Sequence, residues 1–347
     1  MKPLPDWPPS GSGERAIATI KASPEDFRVF EIPQLLPEGT GTHLWLEVEK
    51  IGANSEWVAQ QLASRAGVHS RDIGYAGMKD RYAVTRQWYS IACQEARDTE
   101  WQHWEIEGVR ILTADWHPRK LQRGTLKGNR FEITLRDIEG DADSIGQSLS
   151  QIAREGVPNY FGPQRFGHGG SNVERARHWF VRQGRIPRNK RSLYLSAARS
   201  FMFNQVLAER VRQGNWNLLM DGDVAMLDGR RSVFVAELPD SELEQRCLAG
   251  EIHPAGCLFG EGGLDSERDA AALMATVVDE SSELCNGLLA QRVKKSWRSL
   301  RLIPTNMKWQ GNDAGLVLAF DLPTGAYATT LLAELVSVSD ASISKSA

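Results

Sequence analysis

The sequence predicts an α+β protein of two domains, in which a second domain interrupts the first. Its 347 residues are long for one compact core and natural for two. Strand patterns and helix patterns alternate in the outer parts of the chain, whereas the block from about 155 to 301 has mostly helical patterns. Because strands with sheet character lie on both sides of this block, we expect the last pieces of the first domain to return after about residue 302.

The elements of the N-terminal part follow from the spacing of apolar side chains. Residues 44–49 alternate between aliphatic and other side chains, which is typical of a half-buried strand. A helix with one apolar face is expected to be capped at Asn54-Ser55, both residue types that cap helices, and to be stopped by Gly67. Trp88–Cys93 and residues 131–136 predict two further strands.

The later elements are predicted in the same way. Residues 145–152 have apolar side chains at helical spacing, and a short strand is expected around Phe234. Residues 316–320 alternate as a strand, and a helix is expected to contain 331–335. The tail from Ser337 to Ala347 is rich in serine and has no periodicity, so we expect it to fray.

Composition bounds the class of protein. Hydrophobic residues make up 41% of the chain, which is enough for real cores. Residues 1–13 are rich in Pro, Gly and Ser, so we expect a loose segment and no signal peptide. No apolar run approaches the ~20 residues of a membrane span, and no two of the four cysteines, which include Cys93, form a C-x-x-C pair. We therefore expect a protein of the reducing cytoplasm with no membrane partner.

Charge is segregated along the chain. The net charge of −3 gives no overall basic signature, but 117–130, 182–199 and 292–308 carry Lys and Arg without any acid. Acids collect instead in 237–251 and 261–269. Lys and Arg contacts to phosphates supply most of the non-specific affinity for nucleic acid. The three stretches favour a polyanion that contacts both predicted domains, although three solvated faces would have the same sequence pattern.

The main candidate for chemistry is Asp80, in the segment Gly74–Gln87. Two glycines precede Lys79 and Asp80, and a strand follows, so this loop can hold a side chain at the edge of a pocket. The flanking cations Lys79 and Arg81 favour the ionised carboxylate, which can attack an electron-poor carbon and form a covalent intermediate. On spacing alone, an aspartate that caps a surface turn is the more common explanation.

Four further residues are candidates for contact with a nucleic-acid base. Phe27 and Phe131 adjoin strand-like runs, and aromatic rings stack on exposed bases. Asn129 can hydrogen-bond a base edge, and Tyr327 lies near a helix start. Each of the four, taken alone, is more readily explained as a core or turn residue.

Other chemistries lack their motifs. The sequence contains no H-E-x-x-H, G-x-S-x-G, Walker-type loop or Rossmann fingerprint. His168 lies in a glycine-rich loop without paired ligands, which does not favour a metal site.

Together these stretches resemble the TruD family of tRNA pseudouridine synthases, and the match covers nearly the whole chain. The run Val157–Gly167 is highly specific for the family. The stretches that carry the resemblance are Lys21–Phe27, Gly77–Asp80, Ala83–Trp88, Lys127–Phe131, Gly156–Gly167, Arg188–Arg191, Leu195–Ser200, Leu322–Pro323 and Gly325.

The resemblance implies an isomerase, a tRNA pseudouridine(13) synthase, which converts uridine to pseudouridine at position 13 of tRNA. It implies that Asp80 is the nucleophile and that Phe27 and Asn129 contact the substrate. Tyr327 stands where the family has an aromatic residue, often Phe, so its hydroxyl is a departure. Met78 replaces a residue that is often polar in relatives.

The family that the sequence resembles needs neither a metal nor an organic cofactor, so none is expected here. A base in folded RNA must be extruded before it can react, at a cost of roughly a few kcal/mol. Stacking on Phe27, Phe131 and Tyr327 can offset this cost.

A cation is expected to hold the carboxylate of Asp80. Lys79 is adjacent, but neighbouring side chains in an extended chain point apart. Lys21 is therefore the expected partner, and we count both lysines among the substrate-binding candidates.

By resemblance the architecture is V-shaped. A mixed, mainly antiparallel-sheet catalytic domain comprises 1–154 and 302–347, and an α/β TRUD domain, 155–301, is inserted in it. The basic stretches would line the cleft and bind tRNA through its backbone and shape. The resemblance implies no obligate protein partner, and we expect a cytoplasmic monomer.

Two other functions would use some of the same features. A non-catalytic RNA-binding protein or tRNA-folding chaperone needs basic stretches but no carboxylate beside phosphates, so Asp80 separates it from an enzyme. A base-releasing glycosidase would also use an aspartate, but it normally needs a second carboxylate. The sequence shows no clear second candidate near Asp80.

Overall fold

The chain forms two compact units in the computed structural model, which describes residues 4–11, 13–92 and 101–344. Cys93 lies outside these ranges. The unit that we name the sheet unit comprises Arg15–Ala142, Pro304–Gly325 and Val336–Ala347. The unit that we name the helical unit comprises Met1–Glu14, Asp143–Ile303 and Ala326–Leu335.

Strands and helices are numbered along the chain. The strands are β1 (Ala16–Ile20), β2 (Phe27–Pro33), β3 (His43–Lys50), β4 (Ile73–Tyr75), β5 (Val84–Ala92), β6 (Val109–His117), β7 (Leu126–Glu139), β8 (Val157–Pro158), β9 (Asp223–Leu227), β10 (Val233–Ala236), β11 (Ile252–Leu258), β12 (Ser296–Ser299), β13 (Arg301–Leu302), β14 (Thr305–Asn312), β15 (Gly315–Pro323) and β16 (Val336–Asp340). The helices are α1 (Ser55–Ala66), α2 (Ala142–Glu155), α3 (Ser171–Arg182), α4 (Arg188–Arg212), α5 (Ser241–Leu248), α6 (Arg268–Glu280), α7 (Ser282–Ala290), α8 (Ala328–Leu335) and α9 (Ala341–Ser344).

The compact units divide the chain differently from the predicted domains. The prediction places 1–14, 143–154, 302–303 and 326–335 in the catalytic domain, whereas by their contacts these segments belong to the helical unit. A segment joins the unit against which it packs, and the pattern along the chain does not show which unit that is. The boundaries of the two domains stay a prediction.

The sheet unit is built on one mixed sheet, in which the described residues form ten strands. Its main path runs β14-β15-β7-β2-β5-β3-β6, with β4 beside β5 and with β1 between β7 and β16. Neighbours are antiparallel except for two parallel pairs, β2 with β5 and β1 with β16. The predicted α+β class is confirmed, and the sheet is mixed and mainly antiparallel as expected.

Strand β16 corrects the expectation that the C-terminal tail frays. It pairs in register with β1, from Ala16 opposite Val336 to Ile20 opposite Asp340. Val336 is fully buried, and the short helix α9 follows the strand. The prediction fails because backbone hydrogen bonds hold β16 to its parallel partner β1. These bonds do not depend on the side chains, so the serine-rich sequence does not reveal them.

Helix α1 packs on one face of the sheet. Asn54 caps the helix by accepting a hydrogen bond from the backbone N of Trp57 at 2.7 Å, and Gly67 ends it with a left-handed φ of 67°. Both predicted ends are therefore confirmed. Leu46 and Tyr89, on β3 and β5, belong to the core beneath the helix and are fully buried.

The opposite face of β3 is also buried, so the prediction of a half-buried strand is wrong at this point. Trp45 is 1% exposed, and its ring centroid lies 6.2 Å from that of Trp88 on β5. The indole Nε1 of Trp45 donates a hydrogen bond to the carbonyl oxygen of Arg119 at 3.0 Å. A buried tryptophan needs such a partner for its N–H.

The helical unit contains the 25-residue helix α4 and a four-stranded sheet, in the order β10-β9-β11-β12. Of these strands only β10, around Phe234, is predicted. Strand β11 contains Pro254 and Gly256, which usually indicate a turn, and its burial on both faces removes the alternation that marks a strand. Within the described ranges, no helix has both the length and the apolar character that a membrane span requires.

Residues 4–10, the described part of the N-terminal segment, contain no helix or strand, yet they are not loose. Trp7 stacks on Tyr160 with ring centroids 6.0 Å apart. The Tyr160 hydroxyl donates a hydrogen bond to the carbonyl oxygen of Pro8 at 3.1 Å. The side chain of Trp7 therefore holds in place a segment that its composition predicts to be loose.

Candidate active site

Asp80 lies in an irregular loop between β4 and β5 of the sheet unit. Neutral side chains from β5 and α1 fix the main chain of this loop. Gln87 Nε2 donates to the carbonyl oxygen of Gly77 at 3.0 Å, and the backbone N of Lys79 donates to Ser55 Oγ at 2.9 Å. Ser55 Oγ in turn donates to Gln87 Oε1 at 2.7 Å. The loop that carries Asp80 is thus held by a connected network.

Both carboxylate oxygens of Asp80 accept hydrogen bonds. Lys21 Nζ donates to Oδ2 at 2.5 Å, and the backbone N of Tyr82 donates to Oδ1 at 3.0 Å. The Asp80 side chain is 35% exposed, so it remains open to solvent on one side. Burial raises the pKa of Asp80, but the hydrogen bonds and the charges of Lys21 and Lys50 together hold this pKa below its ordinary value of 3.8. The carboxylate is therefore ionised at neutral pH.

Lys21 follows β1 with a backbone φ of 56°, in the left-handed region that few residues other than glycine occupy. Its side chain is 9% exposed, and its ammonium also lies 3.5 Å from Oδ2 of Asp340. The register of β1 and β16 places Ile20 opposite Asp340 and so brings this second carboxylate to the site. The ammonium lies 4.8 Å from the centroid of the Phe27 ring, within the range of a cation–π contact.

Lys79 is directed to Glu31 and not to its neighbour Asp80. Its Nζ lies 3.0 Å from Glu31 Oε2, and the two side chains are only 5% and 1% exposed. The backbone N of Trp88 donates to the other oxygen of Glu31 at 3.4 Å. This geometry follows the divergence of adjacent side chains in extended chain, and it makes Lys79 an anchor of the loop.

Phe27 and Phe131 lie in a buried aromatic cluster on one face of the sheet. The ring centroids of Phe27 and Phe131 are 6.3 Å apart, and those of Phe131 and Phe320 are 5.6 Å apart. The register, in which Phe131 is opposite both Val29 and Phe320, produces this cluster. Phe27 is 5% and Phe131 is 7% exposed, so other side chains cover most of both rings.

Asn129 lies two positions before Phe131 on β7, on the same face of the sheet. Its Oδ1 is buried and has no hydrogen-bond partner within the described part of the chain. At the preceding Gly128, an added Cβ atom would lie 2.2 Å from the carbonyl oxygen of Leu322, so β7 and β15 can approach closely there. A buried amide oxygen without a partner is uncommon, and it can accept a hydrogen bond from a ligand.

Tyr327 belongs to the helical unit, whereas the other predicted site residues belong to the sheet unit. Its hydroxyl accepts a hydrogen bond from Arg165 Nε at 3.0 Å. Its ring centroid lies 6.4 Å from that of Phe161 in an edge-to-face arrangement. The hydroxyl that departs from the family pattern therefore has its own partner in this chain.

Lys50 is a site residue that the sequence prediction missed. It ends β3 with a fully buried side chain, and its Nζ donates to the main-chain oxygen of Asp80 at 2.7 Å. Burial lowers the pKa of Lys50 to about 8, against the charge of Asp80, which raises it. A signal was present, because Lys50 is in phase with Leu46 and Val48 on the buried face of the strand.

The first two basic stretches present cations to solvent. In the helical unit, the exposed ones include Arg182, Arg185, Arg188 and Lys190. In the sheet unit, Arg123 and Lys127 are exposed, and the guanidinium of Arg123 lies 3.7 Å from the centroid of the Tyr75 ring. Each unit therefore offers cations that can contact phosphates.

The third basic stretch, 292–308, contains both buried and exposed cations. Arg301 is 4% exposed, and its guanidinium donates to the carbonyl oxygen of Ile252 at 3.2 Å. Arg292, Lys294 and Lys308 are exposed, although Lys294 Nζ pairs with Glu261 Oε1 at 2.9 Å. The expectation that the stretch binds a polyanion therefore does not extend to Arg301, because a run of basic letters does not distinguish structural arginines from solvated ones.

Asp80 thus combines an ionised, partly exposed carboxylate with a main chain that hydrogen bonds hold in place. Such a group can act as a nucleophile towards an electrophilic carbon. Among the described residues, no three or more side chains of His, Cys, Asp and Glu gather as they would to hold a metal ion.

Comparisons with known proteins agree over most of the chain. A family model described as tRNA pseudouridine synthase D (TruD) matches residues 12–174 and 171–335. The chain is 45% identical over 319 residues to the tRNA pseudouridine synthase D of Methylococcus capsulatus, and the match covers 91% of this chain and 90% of that protein. It is 43% identical over 323 residues to the protein of the same name from Hydrogenovibrio crunogenus, with coverage of 92% and 93%.

The fold has a counterpart among solved structures. A crystal structure from Methanosarcina mazei, described as a tRNA pseudouridine synthase D, superposes with a TM-score of 0.72 over 96% of each chain. The sequence identity is 20%, so this likeness concerns the fold alone.

Proposed function

The chain belongs to the tRNA pseudouridine synthase D family, and we propose that it isomerises uridine to pseudouridine at position 13 of tRNA, with Asp80 as the nucleophile and without a cofactor. Membership makes the protein a tRNA pseudouridine synthase, which is an isomerase. The residue roles in the reaction are our proposal, and the ion pair between Asp80 and Lys21 is the observation that carries it.

The reaction exchanges one bond of the nucleoside for another. The bond from N1 of uracil to C1′ of ribose breaks, the base turns, and C5 joins C1′. C5 then loses its proton and N1 takes up a proton, so the product is an isomer of uridine. A carboxylate assists by adding covalently either to C1′ or to C6 of the base, and it is released when the new bond has formed. This role requires an ionised carboxylate that a nucleoside can reach.

Asp80 meets both requirements. Lys21 stabilises the charged form of the carboxylate and fixes Oδ2, while the 35% exposed side chain leaves access for a substrate. A turn aspartate on the surface would need no buried lysine partner. A non-catalytic RNA-binding protein would gain nothing from a fixed negative charge that repels phosphates.

The predicted binding residues take distinct parts in the proposal. The unpartnered Oδ1 of Asn129 accepts a hydrogen bond from the N3–H donor of an extruded uracil. Phe27 and Phe131 meet the base through the small surface that their neighbours leave uncovered. Tyr327 contributes an aromatic ring in this proposal, and its hydroxyl accepts a hydrogen bond from Arg165 Nε.

Cations in each unit supply the affinity for tRNA in this proposal. Those that are exposed, such as Arg185 and Lys190 in the helical unit and Lys127 in the sheet unit, contact phosphates. The buried Arg301 takes no part in RNA binding. We further propose that residues 155–301 are the inserted TRUD domain, and that the protein acts in the cytoplasm as a monomer without an obligate protein partner.

The direct test incubates the protein with an unmodified tRNA transcript and maps pseudouridine at nucleotide resolution. The wild type should modify position 13, and Asp80→Asn should lose roughly 10³-fold or more of the single-turnover rate while it still binds tRNA. Asp313→Asn, which removes an exposed aspartate from the β14–β15 turn of the same unit, is the matched control and should keep the wild-type rate.

Each part of the proposal can fail separately in this experiment. No pseudouridine from the wild type would exclude the reaction, and equal product from Asp80→Asn would exclude the nucleophile. A rate that falls after dialysis against EDTA and recovers with a divalent cation would exclude the cofactor-free mechanism.

A further inference from the structure

We infer that Lys50 is a positioning residue for the nucleophile. Its buried side chain fixes the main chain of Asp80 and adds a second positive charge near the Asp80 carboxylate. This inference rests on the proposed role of Asp80. It assigns to catalysis a lysine that has no access to substrate.

The geometry of Lys50 is that of an internal anchor. The side chain is 0% exposed, and its Nζ lies 2.7 Å from the carbonyl oxygen of Asp80. Its register neighbours on β5 and β6 are Thr85 and Val109, which carry no charge. The charged groups that act on Lys50 are Asp80 and Lys79, both in the catalytic loop.

A second contact ties the same strand end to the same loop. Arg81 Nε donates to the carbonyl oxygen of Gly52 at 2.9 Å, two residues beyond Lys50. Two hydrogen bonds therefore connect the end of β3 and the residues after it with the loop around Asp80. The bond from Lys50 has a buried donor, and the bond from Arg81 is exposed. The peptide of Asp80 cannot turn without breaking the bond from Lys50.

The choice of a charged donor is informative. Gln87 holds the carbonyl oxygen of Gly77 in the same loop with a neutral amide donor, so a neutral donor suffices to hold a main-chain oxygen here. Burying an ammonium group is strongly unfavourable before compensation. A role that justifies this cost is electrostatic, and the charge of Lys50 is among the causes that lower the pKa of Asp80.

Three groups therefore divide the work around Asp80. Lys21 holds Oδ2, the backbone N of Tyr82 holds Oδ1, and Lys50 holds the main-chain oxygen. With all three in place, both the direction and the charge of the carboxylate are fixed before the substrate arrives. Misplacement of a reacting group by about 1 Å can reduce a rate about 100-fold.

The test is Lys50→Met, which keeps the length of the side chain and removes the donor and the charge. Single-turnover rates on a tRNA transcript are measured with saturating enzyme, and the Kd for tRNA is measured separately by filter binding. We expect the rate to fall about 10- to 100-fold, the Kd to change by less than about twofold, and the acid limb of the pH–rate profile to move to higher pH.

Arg110→Met is the matched control, because it removes a positive charge from the same end of the sheet at a side chain that is 68% exposed. It should leave the rate, the Kd and the acid limb unchanged. Thermal melting of all variants reports the folded fraction, and rates are expressed per folded molecule. If Lys50→Met does not fold, Lys50→Gln, which keeps a polar group in the site, is measured in the same way.

Three results would overturn the inference. They are a rate per folded molecule within about threefold of the wild type, a loss that Arg110→Met shares, and a loss that a weaker Kd for tRNA explains in full. In each case the wild type still forms pseudouridine, so the inference about Lys50 fails while the proposed function stands. A wild type without product would instead remove the function on which the inference rests.

Discussion

The ammonium group of Lys21 lies 2.5 Å from Oδ2 of Asp80, across 59 residues of chain. The pair depends on a left-handed backbone at Lys21, with a φ of 56°, immediately after β1. Such conformations cost of order 1–3 kcal/mol when a residue other than glycine adopts them, and they persist where the surroundings impose them. Here β1 is fixed by β7 on one side and by β16 on the other.

Replacement of Lys21 by Met should move the acid limb of the pH–activity profile to higher pH. Burial raises the pKa of Asp80, and Lys21 provides the largest opposing contribution, through its hydrogen bond and its charge. Without Lys21 the pKa of Asp80 should rise above its wild-type value, so the ionised nucleophile is lost at a higher pH. The single-turnover rate of Lys21→Met, measured from pH 4.5 to 8, should therefore fall on the acid side before that of the wild type.

Lys21→Arg is the control for this experiment, because it keeps the positive charge. Its acid limb should lie close to that of the wild type even if its rate at neutral pH is lower. Superimposable profiles for Lys21→Met and the wild type would contradict the role of Lys21 as the cation that keeps Asp80 ionised.

Lys50 should make stability depend on pH in alkaline solution. The pKa of Lys50 is about 8 in the folded protein, and its ordinary value, which applies to the unfolded chain, is 10.5. Between these two pH values the unfolded chain therefore binds more protons than the folded protein. The destabilisation caused by the buried charge is complete below pH 8 and is relieved as the pH rises towards 10.5. The free energy of unfolding of the wild type, relative to Lys50→Met, should therefore increase by up to roughly 1.4 kcal/mol per pH unit in this window.

Urea unfolding at several pH values between 7 and 10.5 measures this difference. The exposed control Arg110→Met should differ from the wild type by a constant amount over the same range. A pH-independent difference between Lys50→Met and the wild type would contradict the lowered pKa of Lys50.

Asn129→Ala should separate function from stability. Its Oδ1 is buried without a partner, so alanine breaks no hydrogen bond of that atom, and we expect the free energy of unfolding to change by less than about 1 kcal/mol. Loss of a hydrogen bond to the substrate should lower the single-turnover rate at least about tenfold. Urea unfolding and the tRNA assay measure the two effects. The control is Asn312→Ala, which removes an exposed turn hydrogen bond to the backbone N of Ala314 and should leave the rate unchanged. A large loss of stability with an unchanged rate would make Asn129 a purely structural residue.

The buried ion pair Arg210–Asp223 should contribute more to the free energy of unfolding of the helical unit than an exposed ion pair does. Arg210 Nη1 lies 2.9 Å from Asp223 Oδ1, and both side chains are 2% exposed. Arg210→Met leaves a buried carboxylate without its cation, so unfolding in urea should show a loss of about 3–5 kcal/mol. Arg212→Met, which breaks the exposed pair with Glu209, should cost at most about 1 kcal/mol. Equal losses in the two variants would contradict the importance of burial.

Much of the secondary structure could be predicted, because periodicity and caps are local properties. Asn54 and Gly67 bracket α1, and the alternation in 131–136 locates β7. The prediction failed where local signals are absent or misleading. Pro254 and Gly256 conceal β11, and the serine-rich tail conceals β16.

The candidate site shows the same limit. The motif around Asp80 is visible in the sequence, and Lys21 could be proposed as its partner because Lys79 is too close along the chain to turn towards it. The phase of Lys50 with Leu46 and Val48 indicated that it is buried, but nothing in the sequence connects Lys50 or Asp340 with Asp80, so neither was found. Arg301 was taken for an RNA-binding cation for a related reason: a sequence lists charges but does not give their burial.

The sequence by itself determined the family, many of the local elements and the candidate aspartate, since these depend on residue order. Only the tertiary structure decided how the charge of Asp80 is maintained. A carboxylate is ionised or neutral according to the balance of burial against nearby cations, and this balance is set by strands that meet from distant parts of the chain. The ammonium groups of Lys21 and Lys50 reach Asp80 from the ends of β1 and β3, and that convergence exists only in the folded protein.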